Sequence, residues 1–497
     1  MQTRFIMDCG FRLCLRFISG LLLVLFHLGV SAQKHIGLEE LRKLVLENNS
    51  EVKAADERAL TATLLRKASF TRFLPSFDFN AQYLHIPSPF QLLSEDLFLP
   101  VVPQSAIDMQ TGTVNPFQLL TADPPALVFG PDGLPMTGPD GNFLFRQYAW
   151  VPQSAGSIGQ KNNVLFHFGL SQPLFTGGKV KAQYKAALSM ERAARHSGRI
   201  SLDQAIADAD TLFWSLLVLQ EKEKLARQYI QMLETLSQDM QNYLEEGLIT
   251  RNEKLQVQIA FHEAQLELTK AENGIRQLSM AICRLAGLSL GQELVAVEEI
   301  SPYMKVHDLE QLWEEGLQNR PELGVLREKV HVASSLAAMA RGGRLPDLAL
   351  GAGLVSANPN PWNGLQQEFG LDWFVGLTLT VPVYHWGERR HLHRAARHEV
   401  NQTQLTLEDT RNLIRIDIAG AFYDYDEARK NLTIRQLSLE QALENLEMVK
   451  HEFEEGMVRA VTLMEAQTFW HQAHTDYIES KAAIRISATK LKRSIGR

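Results

Sequence analysis

Four histidines crowd one short stretch of the chain, His385, His391, His393 and His398. Imidazoles at that density are what a zinc, copper or nickel site uses. Their spacing argues against one. On a helix His391 and His393 point ~200° apart, while His391 and His398 share a face but lie two turns apart, too far to chelate one ion. Arg389, Arg390, Arg394 and Arg397 are interleaved with them, so the stretch reads as a solvated basic collar that attracts anionic groups near the inner surface of a membrane. The His-Glu pairs starting at His262, His398 and His451 lack the second histidine of a zinc-hydrolase helix, carrying Leu266, Gln402 and Glu455 instead. Gly178-Lys179 resembles the end of a phosphate loop, but Pro173 stands where its first glycine belongs and Val180 where its hydroxyl belongs. There is no Gly-x-Ser-x-Gly elbow. The expectation is no catalytic residue, no metal and no cofactor.

Composition narrows the class. Fifty Lys and Arg against 57 Asp and Glu leave a net charge of −7, which does not support a nucleic-acid surface. Arg4, Arg12 and Arg16 precede an apolar run of 14 residues from Phe17 to Val30, with Ser31 and Ala32 after it. That run is short of the ~20 residues of a membrane-spanning helix, so a secretory signal peptide over 1–32 is predicted. Cys9 and Cys14 lie before the run and leave no lipobox, and the mature chain keeps Cys283 alone, so no disulfide framework is available. No other stretch suits a membrane helix. A mature chain in a membrane must therefore cross it with strands.

The elements come twice. At an offset of 271, Leu38-Glu39-Glu40-Leu41 falls on Leu309-Glu310-Gln311-Leu312, Asn48 on Asn319, Glu51 on Glu322, and Leu74-Pro75 on Leu345-Pro346. At an offset of 209, Pro173 falls on Pro382, Gly178 on Gly387, Phe213 on Phe422, and Glu245-Glu246-Gly247-Leu248 on Glu454-Glu455-Gly456-Met457. The difference, 62 residues, is extra chain in the first repeat, and residues 85–163 hold 11 of the 19 prolines. Such a segment reads as a loop.

Period-two alternation predicts strands at 73–84 (Phe77, Phe79, Ala81, Tyr83) and 164–175 (Val164, Phe166, Phe168, Leu170). The second repeat predicts two more, at 346–355 and 374–384. Their lengths suit tilted membrane strands, and Trp373, Trp386, Tyr384, Phe175 and Phe73 suit interfacial belts. Residues 174–301 and 383–497 contain no proline and read as helical hairpins over 178–287 and 387–495. Val257, Phe261, Ala264, Leu268, Ala271, Ile275, Leu278, Ile282 and Leu285 form a heptad seam, and Gly247 and Gly456 mark the hairpin tips. The first repeat then covers 33–300 and the second 301–497.

This order, with the Leu-Pro strand starts, the Gln172-Pro173-Leu174-Phe175-Thr176-Gly177-Gly178 strand exit and the Leu463-Met464-Glu465-Ala466-Gln467 run after the second tip, resembles the TolC family of outer-membrane efflux channels. The resemblance implies a mainly α chain with a membrane β-barrel. Four strands per chain would complete a trimeric 12-stranded barrel continuous with a long periplasmic α-helical coiled-coil barrel; four alone cannot close. It further implies a homotrimer in outer-membrane lipid of a Gram-negative cell, extending into the periplasm. A periplasmic adaptor would link it to an inner-membrane pump, proton-driven or ABC. By the same resemblance Gly247, Leu248, Ile249, Gly456, Met457 and Val458 are assigned to adaptor docking. The family's acidic gate positions fall on Glu465, Thr462 and Glu253, of which Thr462 has lost the carboxylate. Val458 replaces the usual basic residue, with Arg459 adjacent. The expected function is a passive exit duct. The alternatives are a type I protein-secretion duct and, in another class, a non-conducting coiled-coil tether.

Overall fold

The computed structural model describes residues 34–87, 90–158, 160–247, 249–297 and 308–497; the expected signal peptide and Leu248 lie outside them. A helical unit takes the chain up to Thr71 together with Gly178–Arg344 and Tyr384–Arg497, and a strand unit takes Arg72–Gly177 and Leu345–Val383. No described helix is long and apolar enough to cross a membrane.

In chain order the elements are β1 (Lys34–Ile36), α1 (Leu38–Asn48), α2 (Ser50–Thr71), β2 (Ser76–His85), β3 (Phe90–Gln91), β4 (Leu97–Pro100), α3 (Pro116–Thr121), β5 (Tyr148–Val151), β6 (Ser157–Ile158) and β7 (Asn162–Phe175). There follow α4 (Lys179–Glu245), α5 (Arg251–Ala286), β8 (Leu294–Ala296), α6 (Leu309–Asn319), α7 (Pro321–Gly342), β9 (Asp347–Asn358), β10 (Gly370–Thr380), α8 (Glu388–Glu454) and α9 (Ala460–Ser494).

Each repeat places two helices ahead of its first long strand, α1 and α2 or α6 and α7, and the break between them has a local cause in each. Asn49 Oδ1 accepts the N–H groups of Glu51 at 2.8 Å and Val52 at 3.1 Å, while its Nδ2 donates to the Leu285 carbonyl. It caps α2 and holds that helix against the end of α5. In the second repeat Pro321 at the first helical position does the same work by restricting Arg320 to an extended backbone.

Helices α4 and α8 each run 67 residues, about 100 Å at ~1.5 Å per residue. Their return helices α5 and α9 have 36 and 35 residues, so half of each long helix needs another partner. Helices α2 and α7 supply it by packing on α4 and, for α7, also on α8. All nine residues of the heptad seam in α5 are buried or half-buried. Two equivalent cores sit beside the short helices. One gathers Leu41, Val45, Phe213, Leu216 and Ile282, the other Leu312, Leu323, Ile418, Tyr425 and Leu491. Strands β1 and β8 pair in parallel at the first.

The strand unit is an antiparallel sheet in the order β10-β9-β7-β2. Its register sorts the faces. Trp373, Leu354, Phe168 and Phe79 lie side by side across all four strands, as do Val375, Ala352, Leu170 and Phe77. The adjacent row, Asp372, Val355, His167 and Asn80, belongs to the opposite face. One face is thus continuously apolar yet exposed, with Phe79 at 66% and Trp373 at 70%. Water does not solvate such a patch cheaply. Strands β2 and β10 each leave an unpaired edge.

Residues 85–163 are not the plain loop their prolines suggest. Strands β3 and β4 pair with β6 and β5, α3 forms one and a half turns, and Ala106, Leu119, Ala126 and Leu127 make a small core. Two of the prolines sit where no backbone donor is needed: Pro116 at the first turn of α3 and Pro100 at the end of β4.

Candidate functional site: the paired helical tips

Both long hairpins turn on a glycine that needs a left-handed backbone, Gly247 at φ 75° and Gly456 at φ 71°. At the second tip the Gly456 N–H donates to Phe453 O at 3.0 Å and the Met457 N–H to Glu452 O at 2.8 Å. These two bonds satisfy the last carbonyls of α8 in a Schellman turn. At the first, Gly247 N–H donates to Leu244 O at 3.1 Å.

The tips differ in how the return helix starts. Thr250 caps α5: its hydroxyl accepts the Glu253 N–H, and Glu253 Oε2 accepts the Thr250 N–H at 2.9 Å and its hydroxyl at 3.0 Å. This is a complete capping box. The Thr250 backbone N–H and then its hydroxyl hold the Glu253 carboxyl below its usual range, with a further contribution from the Arg459 charge. The equivalent residues of α9 are Arg459 and Thr462, and Arg459 makes no side-chain cap. Glu253, assigned to the gate by resemblance, is therefore committed first to closing its own helix.

The expected docking residues do not stand out equally. Ile249 is half-buried and packs on a cluster of Leu236, Met240, Val257, Leu446, Ala460, Leu463 and Ala466 that ties the two hairpins together. Val458 is half-buried, whereas Met457 is 67% exposed. Thr462 is half-buried and Glu465 exposed.

Just behind the tips a cavity of about 700 Å³ opens between α4, α8 and α9, lined by Tyr243, Phe453, Leu463, Gln467 and Trp470 among others. Asp239, Glu447, Lys450 and Glu454 rim it. Gln467 is 94% buried, as its 6% exposure shows, and its Oε1 has no hydrogen-bond partner. A buried carbonyl without a donor is costly, and a docking group that brings one repays that cost. Sequence reading missed Gln467 and Trp470, since their shared cavity joins residues more than 200 positions apart. The Thr250-x-x-Glu253 box was legible as a motif.

One turn further along α9, the His471 ring stacks on Tyr229 at 4.3 Å and its Nε2 lies 3.8 Å from Glu267. Burial lowers the pKa of His471, and likewise that of His474. His385, His391 and His398 are exposed and His393 half-buried, and among the described residues no group of three potential ligands gathers around a metal-sized space.

The family profile described as outer membrane efflux protein matches residues 144–288 and 312–497, about two-thirds of the chain. Alkaline protease secretion protein AprF of Pseudomonas aeruginosa is 26% identical over 249 residues, 48% of this chain and 50% of AprF. The match thus spans half the length of that relative. Protein CyaE of Bordetella pertussis is 22% identical over 353 residues, 69% of this chain and 72% of CyaE. Among solved structures, the Campylobacter jejuni CmeC outer membrane channel superposes with a TM-score of 0.69 at 17% identity, covering 92% of this chain and 85% of that one. This last likeness concerns the fold.

Proposed function

The chain belongs to the outer membrane efflux protein family, and from that membership we propose that it is a passive exit duct in the outer membrane of a Gram-negative cell. The observation that carries the reading is the four-stranded sheet with a continuous exposed apolar face and two free edges. In lipid a free edge is untenable, and four strands cannot close on themselves. Three copies supply twelve strands, each β2 edge pairing with a neighbour's β10 edge, and their long hairpins line a periplasmic tunnel. The duct contributes no catalysis. A periplasmic adaptor joins it to an inner-membrane pump that supplies the energy.

The tips are the gate and the adaptor seat. Met457 and the cavity flanked by Trp470 and Phe453 offer the apolar contact, Gln467 offers an unpaired acceptor, and the exposed Glu465 of three copies forms an acidic ring that favours cations. Arg459, whose charge is felt by Glu253, stands in for the basic residue that Val458 replaces. The insert between β2 and β7 lies outside the cell, where a surface-added protease should cut it in intact cells.

Single-channel conductance of purified protein in a planar bilayer tests the duct, with wild type beside Glu465→Ala. Discrete steps with a cation preference that falls in the variant are expected. No conductance, even after the tips are loosened by substitution and the insert between β2 and β7 is removed, leaves the non-conducting tether as the better account. The name of AprF, a secretion protein for alkaline protease, favours protein export as the second reading of the cargo. An ABC transporter gene with a secreted substrate beside this gene supports that reading, and a proton-driven pump gene supports small-molecule efflux.

A further inference from the structure

The insert does not leave the sheet at random. Pairing runs from Ser76↔Ser171 to His85↔Asn162, resumes at Phe90↔Ile158, and continues from Leu97↔Val151 to Pro100↔Tyr148 with a displacement of a single residue. The first hairpin therefore persists past its membrane-length part as a two-stranded ribbon, whereas β9 and β10 turn back between Asn358 and Gly370. Both faces of the ribbon are apolar. Phe98 and Trp150 pair on one, Leu97 and Val151 on the other, and Phe98 and Trp150 are each 60% exposed. Residues 97–107 and 147–160 carry no charge. The indole of Trp150 is held in place by its N–H donating to Asp96 at 3.0 Å, and Asp96 also accepts the Gln153 N–H at 2.7 Å.

A lone two-stranded ribbon is marginal in water, and one apolar on both faces has to be covered. Lipid is a poor candidate, because the ten residues of β2 already match the length of a tilted membrane strand. The paired residues offer a charge-seeking partner nothing, and the adjoining Asp96 already has both oxygens engaged by Trp150 and Gln153. The remaining occupant is the same ribbon of another copy. A closed barrel of twelve strands spaced ~4.8 Å and tilted ~40° has a radius of roughly 12 Å. The twelve residues from His85 to Leu97 reach up to about 40 Å when extended, ample to bring the ribbon to the axis. Strand β4 also continues the edge strand β2, so it rises from the seam between copies.

We propose that the ribbons of three copies converge on the three-fold axis and bury their Phe98 and Trp150 faces against one another, closing the outer mouth of the barrel with an apolar plug. This rests on the trimeric-barrel reading above. The test uses the purified mature protein, freed of the expected signal peptide with its Cys9 and Cys14, with Phe98→Cys or, on the opposite face, Leu99→Cys, treated with a short bis-maleimide. Both sites are exposed, and native Cys283 is fully buried, so wild type is the unreactive control. Native mass is measured first on the same samples. A trimer that gives covalent dimers with Phe98→Cys, in a yield above that of Leu99→Cys and unchanged by dilution, is the expected result. A trimer with no covalent dimers from Phe98→Cys, with dimers from Leu99→Cys alone, or with dimers that fade on dilution, overturns the proposal. A wild-type monomer refutes the barrel reading itself, and the plug with it.

Discussion

Transplanting the capping box from the first tip to the second should slow local opening of the second. Thr250 sits at φ −87°, ψ 153° and Arg459 at φ −81°, ψ 155°, so the backbone of Arg459 already has the shape that a capping threonine needs. Arg459→Thr with Thr462→Glu installs a reciprocal pair of bonds at an unstrained site. A side-chain N-cap contributes about 1 kcal/mol, within a range of roughly 0.5–2, and 1 kcal/mol corresponds to about a fivefold change in an opening equilibrium. Hydrogen exchange read by mass spectrometry on peptides covering 250–258 and 459–467 is the assay. In wild type the first turn of α9 should exchange about fivefold faster than that of α5. The double variant should close the gap by slowing α9, and Thr250→Ala with Glu253→Ala should close it by speeding α5. The substitution also removes the Arg459 charge near Glu253. An exposed pair of that kind is worth at most ~1 kcal/mol and is screened by salt, so the comparison is made at high ionic strength. Acid supplies an internal check. The Glu253 carboxyl is lowered in the fold, so the box stabilises above the ordinary carboxylate range and loses its effect as pH falls through the folded value. Equal exchange at the two wild-type tips, or no slowing in the double variant, would refute the reasoning.

Three further outcomes are expected. Gln467→Leu removes an unpaired buried acceptor, so it should raise thermal stability by about 1 kcal/mol while weakening capture of the adaptor; a loss of stability would show that Gln467 has a partner within its own chain. Asp210, 1% exposed, takes both Nε and Nη2 of Arg42 at 2.7 and 2.6 Å and the Thr489 hydroxyl at 3.0 Å. Asp210→Ala should therefore cost about 3–5 kcal/mol in denaturant unfolding, and a change below ~1 kcal/mol would mean that Arg42 finds water instead. His471 and His474 have lowered folded pKa values, with Tyr229, Glu267, Lys222, Glu221 and Lys481 facing them. The unfolded chain then takes up protons first, so stability falls as pH drops from about 6.5 toward the folded values. The difference in melting temperature between pH 7.5 and 5.5 should shrink in His471→Phe/His474→Phe and stay constant if these rings are not responsible.

Much of this architecture was open to a reader of the sequence, for a physical reason. Strand period, helix seam and glycine tips are local properties, set by side-chain alternation and by backbone freedom at Gly247 and Gly456. Duplication then made each reading checkable against its twin. The heptad from Val257 to Leu285 named its own buried face, and the Leu74-Pro75 and Leu345-Pro346 pairs preceded their strands by one or two residues. The sequence was less informative where prolines dominate. Pro100 and Pro116 look like breakers, yet each occupies a position that donates no backbone hydrogen bond, so an ordered ribbon and a small core survived around them.

What only the tertiary structure decided was which residues share a space. Gln467 and Trp470 become a candidate seat because α4 and α8 bring Tyr243 and Phe453 to the same cavity. Glu253 becomes a helix cap before it is anything else, because Thr250 is within hydrogen-bond reach. Likewise Ile249 and Val458, which occupy matching places in the two repeats, are both half-buried, while Met457, one residue nearer the tip, stands exposed. Periodicity fixes which face of an element is apolar, since that follows from the geometry of one helix or strand. It cannot fix which faces meet, since that depends on the path of the chain between them.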